Sequence, residues 1–174
     1  MKITIFGFAG SGTSTVGKLL AQELDYTFMS SGNILRSWAE ESGYTIYEFE
    51  DKVVKTDHSF DMKLDTKVAE FWQTSDNFIF ESRLAWHFIP DSFKIYLYCD
   101  DATRYDRIQN REWWFIDEII EKTQKRENEL VSRYNEVYSD ITFPPQRDCF
   151  DLVIDASKSS PQDIIEQILE AIKK

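Results

Sequence analysis

Gly7, Gly12 and Ser14 stand in the spacing G-x-x-x-x-G-x-[ST], inside the stretch Gly7-Phe8-Ala9-Gly10-Ser11-Gly12-Thr13-Ser14-Thr15. The apolar run Ile3-Thr4-Ile5-Phe6 leads into it, and a helix-patterned segment from Val16 to Leu24 leads out. A glycine-rich turn between a strand and a helix points backbone N–H groups at a polyphosphate, and the helix adds the positive end of its dipole. In this motif a lysine ordinarily precedes the Ser/Thr and reaches the β- and γ-phosphates as a point charge; here that position is Thr13. Some other cation must supply the charge. The competing reading is a Gly/Ser/Thr-rich turn with no ligand, and the strand before it and long helix after it speak against that.

Arginine grips phosphate oxygens in pairs, and here its distribution is uneven. Of eight arginines, six lie between Arg104 and Arg147, with only Arg36 and Arg83 before them. They cluster in a chain of net charge −11 and pI near 4.6, a balance that argues against a nucleic-acid polymer as partner. A small anion needs only a local basic pocket. The 174 residues suffice for one domain with a full core, and no apolar run approaches the roughly 20 residues that span a bilayer. Ile3 to Phe8 is too short for a signal-peptide core, so the chain reads as an unprocessed cytoplasmic protein with no membrane partner. Cys99 and Cys149 lack metal-ligand spacing and are expected as buried free thiols.

The elements that must position these groups follow from periodicity. Ser14 to Leu24 carries Val16, Leu19, Leu20 and Leu24 at helical spacing, and Tyr26 to Met29 is a short strand. Ser30-Ser31-Gly32 opens a helix over Asn33 to Ser42, with serine as N-cap and Arg36 one turn in. Thr45 and Glu48 have capping-box spacing for a third helix to about Lys55. Asp57 or Ser59 caps a fourth, about Phe60 to Gln73, with Leu64, Val68, Phe71 and Trp72 on one face. Phe78 to Phe80 is a strand ending at Glu81-Ser82-Arg83, and Lys94 to Cys99 is the next. Helices follow from Asp100-Asp101 to about Arg111 and from Trp113 to Asp140. Phe150 to Asp155 is the fifth strand, and Ser160-Pro161 starts a last helix reaching about Ile172. Alternation of this kind predicts a five-stranded parallel sheet with helices on both faces and a ligand at the strands' carboxyl ends. Those ends carry the glycine-rich turn, Ser31, Glu81-Ser82-Arg83, Asp100 and Asp155.

Over nearly its whole length the chain resembles the nucleoside monophosphate kinases, and among them the archaeal-type cytidylate kinases. That branch has a similar loop with threonine in the lysine position, as in Gly10-Ser11-Gly12-Thr13-Ser14-Thr15. Its Ser-Gly-x-Ile-x-Arg element is matched by Ser31-Gly32-Asn33-Ile34-Leu35-Arg36, and its Glu-Gly-Arg-Leu-Ala element by Glu81-Ser82-Arg83-Leu84-Ala85. A lid pattern is matched by Arg107-Ile108, Arg111-Glu112, Arg126-Glu127 and Arg133-Tyr134, and the strand Asp151 to Asp155 closes the match. The resemblance implies a three-layer P-loop NTPase fold with core 1–29, 77–106 and 134–174, a helical monophosphate-binding insertion 30–76 and a lid 107–133.

It also implies ATP-dependent phosphoryl transfer to a nucleoside monophosphate, CMP or dCMP foremost, giving CDP or dCDP and ADP. On that footing Gly7, Ala9, Gly10, Ser11, Gly12, Thr13, Ser14 and Thr15 bind ATP, and Ser31, Arg36 and Arg83 hold the acceptor. Arg107, Arg111, Arg126 and Arg133 act in catalysis, covering the transferring group and replacing the charge that Thr13 lacks. Ser14 contacts Mg²⁺, with a strand-end acid, Glu81 or Asp100, behind it through water; Glu81 is the one assigned to the metal site. Lys18, on the helix face of Ser14, is a solvated side chain or a partial substitute for lysine. The series Asp57, Asp61 and Asp65 reads the base or merely caps and solvates a helix, while Arg104 and Arg147 are expected in solvent. Two departures stand out: Ser82 replaces a glycine, and Trp113-Trp114-Phe115 is apolar for a lid, an interface or a packing patch. Another acceptor, such as AMP or a small metabolite, is the alternative within the enzyme class, and a non-catalytic nucleotide-binding regulator the alternative outside it. Both acceptor arginines and the full lid pattern favour the enzyme. The expected partners are the two nucleotides alone, with the chain a monomer, or alternatively a dimer.

Overall fold

Strands β1 (Lys2–Phe6), β2 (Thr27–Ser30), β3 (Phe78–Glu81), β4 (Phe93–Tyr98) and β5 (Leu152–Asp155) pair side by side in the order β2-β3-β1-β4-β5. Every pairing is parallel, from Lys2 opposite Phe78 to Tyr98 opposite Asp155. The computed structural model describes residues 1–54, 56, 66, 70, 73, 75–112 and 115–173. Strands buried on both faces read as continuous apolar runs, and β1 and β3 are of that kind. The central position of β1 puts the glycine-rich turn that follows it at the middle of the sheet's carboxyl edge.

One face packs on α1 (Thr13–Leu24) and α7 (Pro161–Ile172). Ile3, Ile5, Ile79, Ile95 and Leu97 meet Val16, Leu20, Ile164, Ile165 and Ile168 there. Ile3, Ile5, Leu20 and Ile168 are fully buried, each contributing about 1.5–3 kcal/mol relative to exposure. Ser160 caps α7 reciprocally with Asp163, as the Ser-Pro start predicts. The other face is aromatic: Phe6 lies 5.5 Å from Phe150 and 5.0 Å from Tyr96 between ring centroids. Leu84, Phe143 and Tyr134 complete that layer under α6 (Ile116–Val137). Asn135 of α6 pins the returning chain, donating to the Phe143 carbonyl at 2.8 Å and accepting from its N–H at 2.9 Å.

The helices follow the sequence reading with shifted ends. Ser30 is the N-cap that accepts from Asn33 N–H, so α2 (Ser31–Glu41) begins two residues before Asn33. The Thr45–Glu48 capping box forms, but the α-helix α3 (Ile46–Phe49) widens into a π-type turn over Glu50–Val54. A one-turn helix, α4 (Ala85–Phe88), follows β3 and carries no periodic signal of its own. Just before it, Ser82 Oγ accepts from Leu84 N–H at 3.2 Å. The expected lid, 107–133, falls on a helical hairpin of α5 (Asp101–Glu112) and α6, its boundary at 133 inside α6. Most of the expected fourth helix over Phe60 to Gln73, the caps Asp57 and Ser59, the series Asp57, Asp61 and Asp65, and the pair Trp113-Trp114 lie outside the described residues. Both cysteines are free; Cys99 is buried, whereas Cys149 sits half-buried in a 3-10 turn, because the chain there runs over the surface before β5. Among the described residues no helix is long and apolar enough to cross a membrane.

Candidate active site

The glycine-rich turn is a closed loop. Ser11 N–H bonds back to the Phe8 carbonyl at 3.0 Å, and Val16 N–H starts α1 on the Gly12 carbonyl at 3.0 Å. Gly12 is the helix N-cap at φ 93° and Gly10 stands at φ 83°, both in the left-handed region that glycine occupies without strain. At Gly10 there is also no space: a Cβ would come within 2.5 Å of the Arg104 carbonyl oxygen. The loop's packing against α5 therefore requires glycine twice over.

Thr13, in the lysine position, turns its hydroxyl to Glu81: Thr13 Oγ1 donates to Oε1 at 2.7 Å, and Ser14 Oγ donates to Oε2 at 2.7 Å. One carboxylate at the end of β3 thus holds two successive hydroxyls of the loop. Of the two acids considered for a metal, Glu81 is the one beside Ser14. Asp100 is committed to starting α5, accepting from Thr103 N–H and Oγ1 at 2.9 Å each, and these bonds with that from Ser157 hold its pKa below the ordinary aspartate value. The all-oxygen set of a serine hydroxyl and a carboxylate suits a hard cation such as Mg²⁺, which takes few protein ligands and keeps substrate phosphates and water for the rest.

The arginines divide into those on the loop and those around it. Arg83 Nη1 donates to the Gly7 carbonyl, and the guanidinium lies 5.5 Å from the Phe8 ring centroid. Burial, and then the positive charge of Arg126, push its pKa below the ordinary arginine value. Arg107 reaches the Ala156 carbonyl at 2.8 Å and the Gly10 and Ser11 carbonyls at 3.5 and 3.4 Å. Arg126, on α6, donates to Glu50 Oε1 at 2.6 Å and so joins α6 to the π-type turn after α3. Arg133 lies over Tyr134, 5.5 Å from its centroid. Arg111 is exposed near the end of α5, and Arg36, also exposed, bonds Asn33 at 3.1 Å. Lys18 is exposed on α1.

Among the described residues, Ser11 Oγ in the loop and Ser31 Oγ at the start of α2 are buried without a hydrogen-bond partner. Buried polar atoms left unpaired cost free energy that a ligand oxygen would recover. A cleft of about 290 Å³ opens between the π-type turn and α6, lined by Glu50, Arg126, Leu130, Arg133 and Glu136. It lies at the low end of small-ligand pocket sizes.

Three residues here escaped the sequence reading. Arg104, expected in solvent, is 3 % exposed and paired with Glu127, because the hairpin folds it inward against Phe8. Glu127 entered only as part of the lid pattern, with no role of its own, and Glu50 was not singled out. Arg104 and Glu127 lie at similar distances on either side of the turn between α5 and α6, and folding that hairpin on paper pairs them.

A family model described as an AAA domain matches residues 3–132. The cytidylate kinase of Methanococcoides burtonii is 36% identical over 173 residues, covering 99% of this chain and 97% of that one. The chain belongs to the cytidylate kinase family. The cytidylate kinase of Methanosarcina mazei is 37% identical over 177 residues, with 99% and 96% covered. A shikimate kinase from Aquifex aeolicus superposes with a TM-score of 0.62 over 99% of this chain and 96% of its own, at 18% identity, a likeness of fold: the three-layer P-loop NTPase architecture. Within the cytidylate kinase family, the loop, Glu81 and the surrounding arginines become parts of one candidate site for phosphoryl transfer.

Proposed function

We propose that the protein transfers the γ-phosphoryl group of ATP to CMP or dCMP, giving ADP and the nucleoside diphosphate. The observation that carries this reading is the meeting of Thr13, Ser14 and Glu81 at the mouth of the glycine-rich loop, with Arg83 on the same loop. Relatives named cytidylate kinase at 36% and 37% identity over almost the whole chain support CMP as the acceptor.

Gly7 and the residues Ala9 to Thr15 cradle the ATP phosphates through backbone N–H groups and the dipole of α1. Ser14 and Glu81 would hold Mg²⁺, which when bound neutralises charge on the phosphate oxygens. The unpaired Ser31 hydroxyl at the start of α2, with Arg36 and Arg83, holds the acceptor phosphate, and residues 30–76 form the insertion that receives it. Phosphoryl transfer asks a protein mainly for alignment and neutralisation of spread negative charge. Arg107, Arg111, Arg126 and Arg133, in the lid 107–133, supply that neutralisation and exclude water, which would otherwise take the phosphoryl group. Supporting this role, Arg126 lines the cleft with Glu50, and its positive charge helps to push the Arg83 pKa down. A cytoplasmic monomer working on the two free nucleotides fits these roles.

The test is ADP release coupled to an indicator reaction, measured with Mg²⁺ across CMP, dCMP, UMP, AMP and GMP. Turnover with CMP or dCMP at least about tenfold above the others in kcat/KM is expected. Preference for AMP, or no ADP release with any monophosphate, would sink the proposal.

A further inference from the structure

A part-buried ion pair with two matched hydrogen bonds lies outside the residues assigned to phosphate binding. Arg104 is 3 % exposed, and Glu127 holds both ends of its guanidinium, Nη1 to Oε1 at 2.7 Å and Nη2 to Oε2 at 3.0 Å. Asp101 adds a contact at 3.1 Å. The same guanidinium lies 5.3 Å from the Phe8 ring centroid, inside the glycine-rich loop. The backbone of Arg104 closes on the loop as well, at Gly10. One residue of α5 therefore touches the loop twice and α6 once.

Glu127 follows Arg126 in α6. Neighbouring residues of a helix point about 100° apart, since a turn takes 3.6 residues. Locking Glu127 against α5 fixes the rotation of α6 about its own axis, and that rotation decides where Arg126 stands relative to Glu50 and Arg83. We propose that Arg104 is a positioning residue for phosphoryl transfer, acting through Glu127 to fix lid helix α6, and with it Arg126, over the glycine-rich loop. The proposal rests on the reading of Arg126 as a transfer residue.

Energy alone does not account for such a pair. Desolvation offsets most of the Coulomb gain of a buried ion pair, and apolar side chains of similar volume often hold two helices as well or better. The fork of a guanidinium on a carboxylate adds direction: two parallel bonds fix an angle that apolar contact leaves loose. A shift of about 1 Å in a positioned group costs about 10²-fold in rate.

The experiment compares Arg104→Met, Arg104→Lys, the double variant Arg104→Met with Glu127→Leu, and Arg126→Ala, by thermal melting, ATP KM and kcat with CMP. Arg104→Met is expected to lower kcat by about 10²-fold with ATP KM moved less than about threefold, a loss of alignment rather than of ground-state binding. Arg104→Lys keeps the charge without the fork and recovers part of that loss. The double variant is expected to regain the wild-type Tm and not its kcat. Recovery of kcat together with Tm would show that the pair serves stability alone and overturn the proposal. So would an Arg104→Met enzyme of near wild-type kcat beside a defective Arg126→Ala. Should Arg104→Met fail to fold, Arg104→Lys and the double variant carry the same comparison. A fully active Arg126→Ala overturns the assignment of Arg126 and this proposal with it, and is told apart from the other outcomes because Arg104 need not be touched to see it.

Discussion

Glu81→Gln separates the two tasks that one carboxylate performs. Glu81 accepts from Thr13 Oγ1 and from Ser14 Oγ, at 2.7 Å each. Hydrogen bonds to a charged acceptor contribute roughly 1.5–3 kcal/mol apiece. Glutamine keeps the shape and one acceptor oxygen, so one hydroxyl retains a weaker neutral bond and the other meets an NH₂ group. Thr13 is only 7% exposed, so its hydroxyl has little water to turn to. The folded state should lose about 1–3 kcal/mol, a fall in Tm of roughly 2–10 °C for a chain of this size. The second effect is on the metal. Removing the negative charge beside Ser14 should raise the half-saturating free Mg²⁺ about 10–100-fold, the usual cost of losing a group that supports a metal ligand. The assay is ADP release at saturating ATP and CMP against free Mg²⁺, run well below both melting temperatures. A lowered Tm with an unchanged Mg²⁺ curve would refute the metal role and leave Glu81 as a clamp on the loop.

Other substitutions probe the remaining parts of the site. Arg126→Ala should lower kcat by about 10³-fold, the low end for a transition-state arginine, while ATP affinity without acceptor stays within about threefold; an unchanged kcat would remove Arg126 from the chemistry. Arg83→Ala should raise the CMP KM about tenfold or more and the ATP KM much less, and equal losses for both nucleotides would dissociate Arg83 from the acceptor side. Asp100 caps α5 with a pKa held below the ordinary value, chiefly by the Thr103 N–H. A depressed carboxyl pKa gives stability that is present above the unfolded value, about pH 4, and lost as pH falls through the folded one. Asp100→Asn should therefore flatten the loss of Tm below about pH 4 and leave the profile above it parallel to wild type; an identical acid limb would discount the cap.

What the sequence made legible was whatever local chemistry announces. The glycine spacing, the Thr45–Glu48 box and the Ser160-Pro161 start are each decided by residues within eight consecutive positions, and each stands where a turn or helix start was expected. The parallel sheet was legible because strands and helices alternate. The shift of α2 to Ser31 was a choice between adjacent serines that only the bond from Asn33 N–H resolves. What local pattern could not show is pairing across distance. Thr13 and Glu81 are 68 residues apart, and Arg104 and Glu127 are 23 apart. An arginine in a helix of an acidic protein reads as solvated until a partner is folded onto it, which is why Arg104 was placed outside and lies inside.

The absence of lysine at position 13 bears on how the site divides its positive charge. A loop lysine reaches the β- and γ-phosphates from within. Here Arg83 grips the Gly7 carbonyl, Arg107 reaches those of Gly10 and Ser11, and the Arg104 guanidinium lies 5.3 Å from the Phe8 ring centroid. A cation on a peptide oxygen polarises that peptide and strengthens the N–H on its far edge, so these contacts favour the N–H groups of Phe8 and Gly12; that of Ser11 is already used on Phe8. Such donors act alike on ATP and ADP, and uniform binding does not speed transfer. Charge that counts only as the phosphoryl group moves has to come from side chains placed to turn toward it, the part proposed for Arg107, Arg111, Arg126 and Arg133. Of these, Arg126 donates to Glu50 of the π-type turn, across a cleft that both residues line. On this reading the charge a single lysine would bring is shared among arginines, Arg83 toward the acceptor and Arg107, Arg111, Arg126 and Arg133 toward transfer, while Glu81 accepts from both loop hydroxyls beside the candidate metal site.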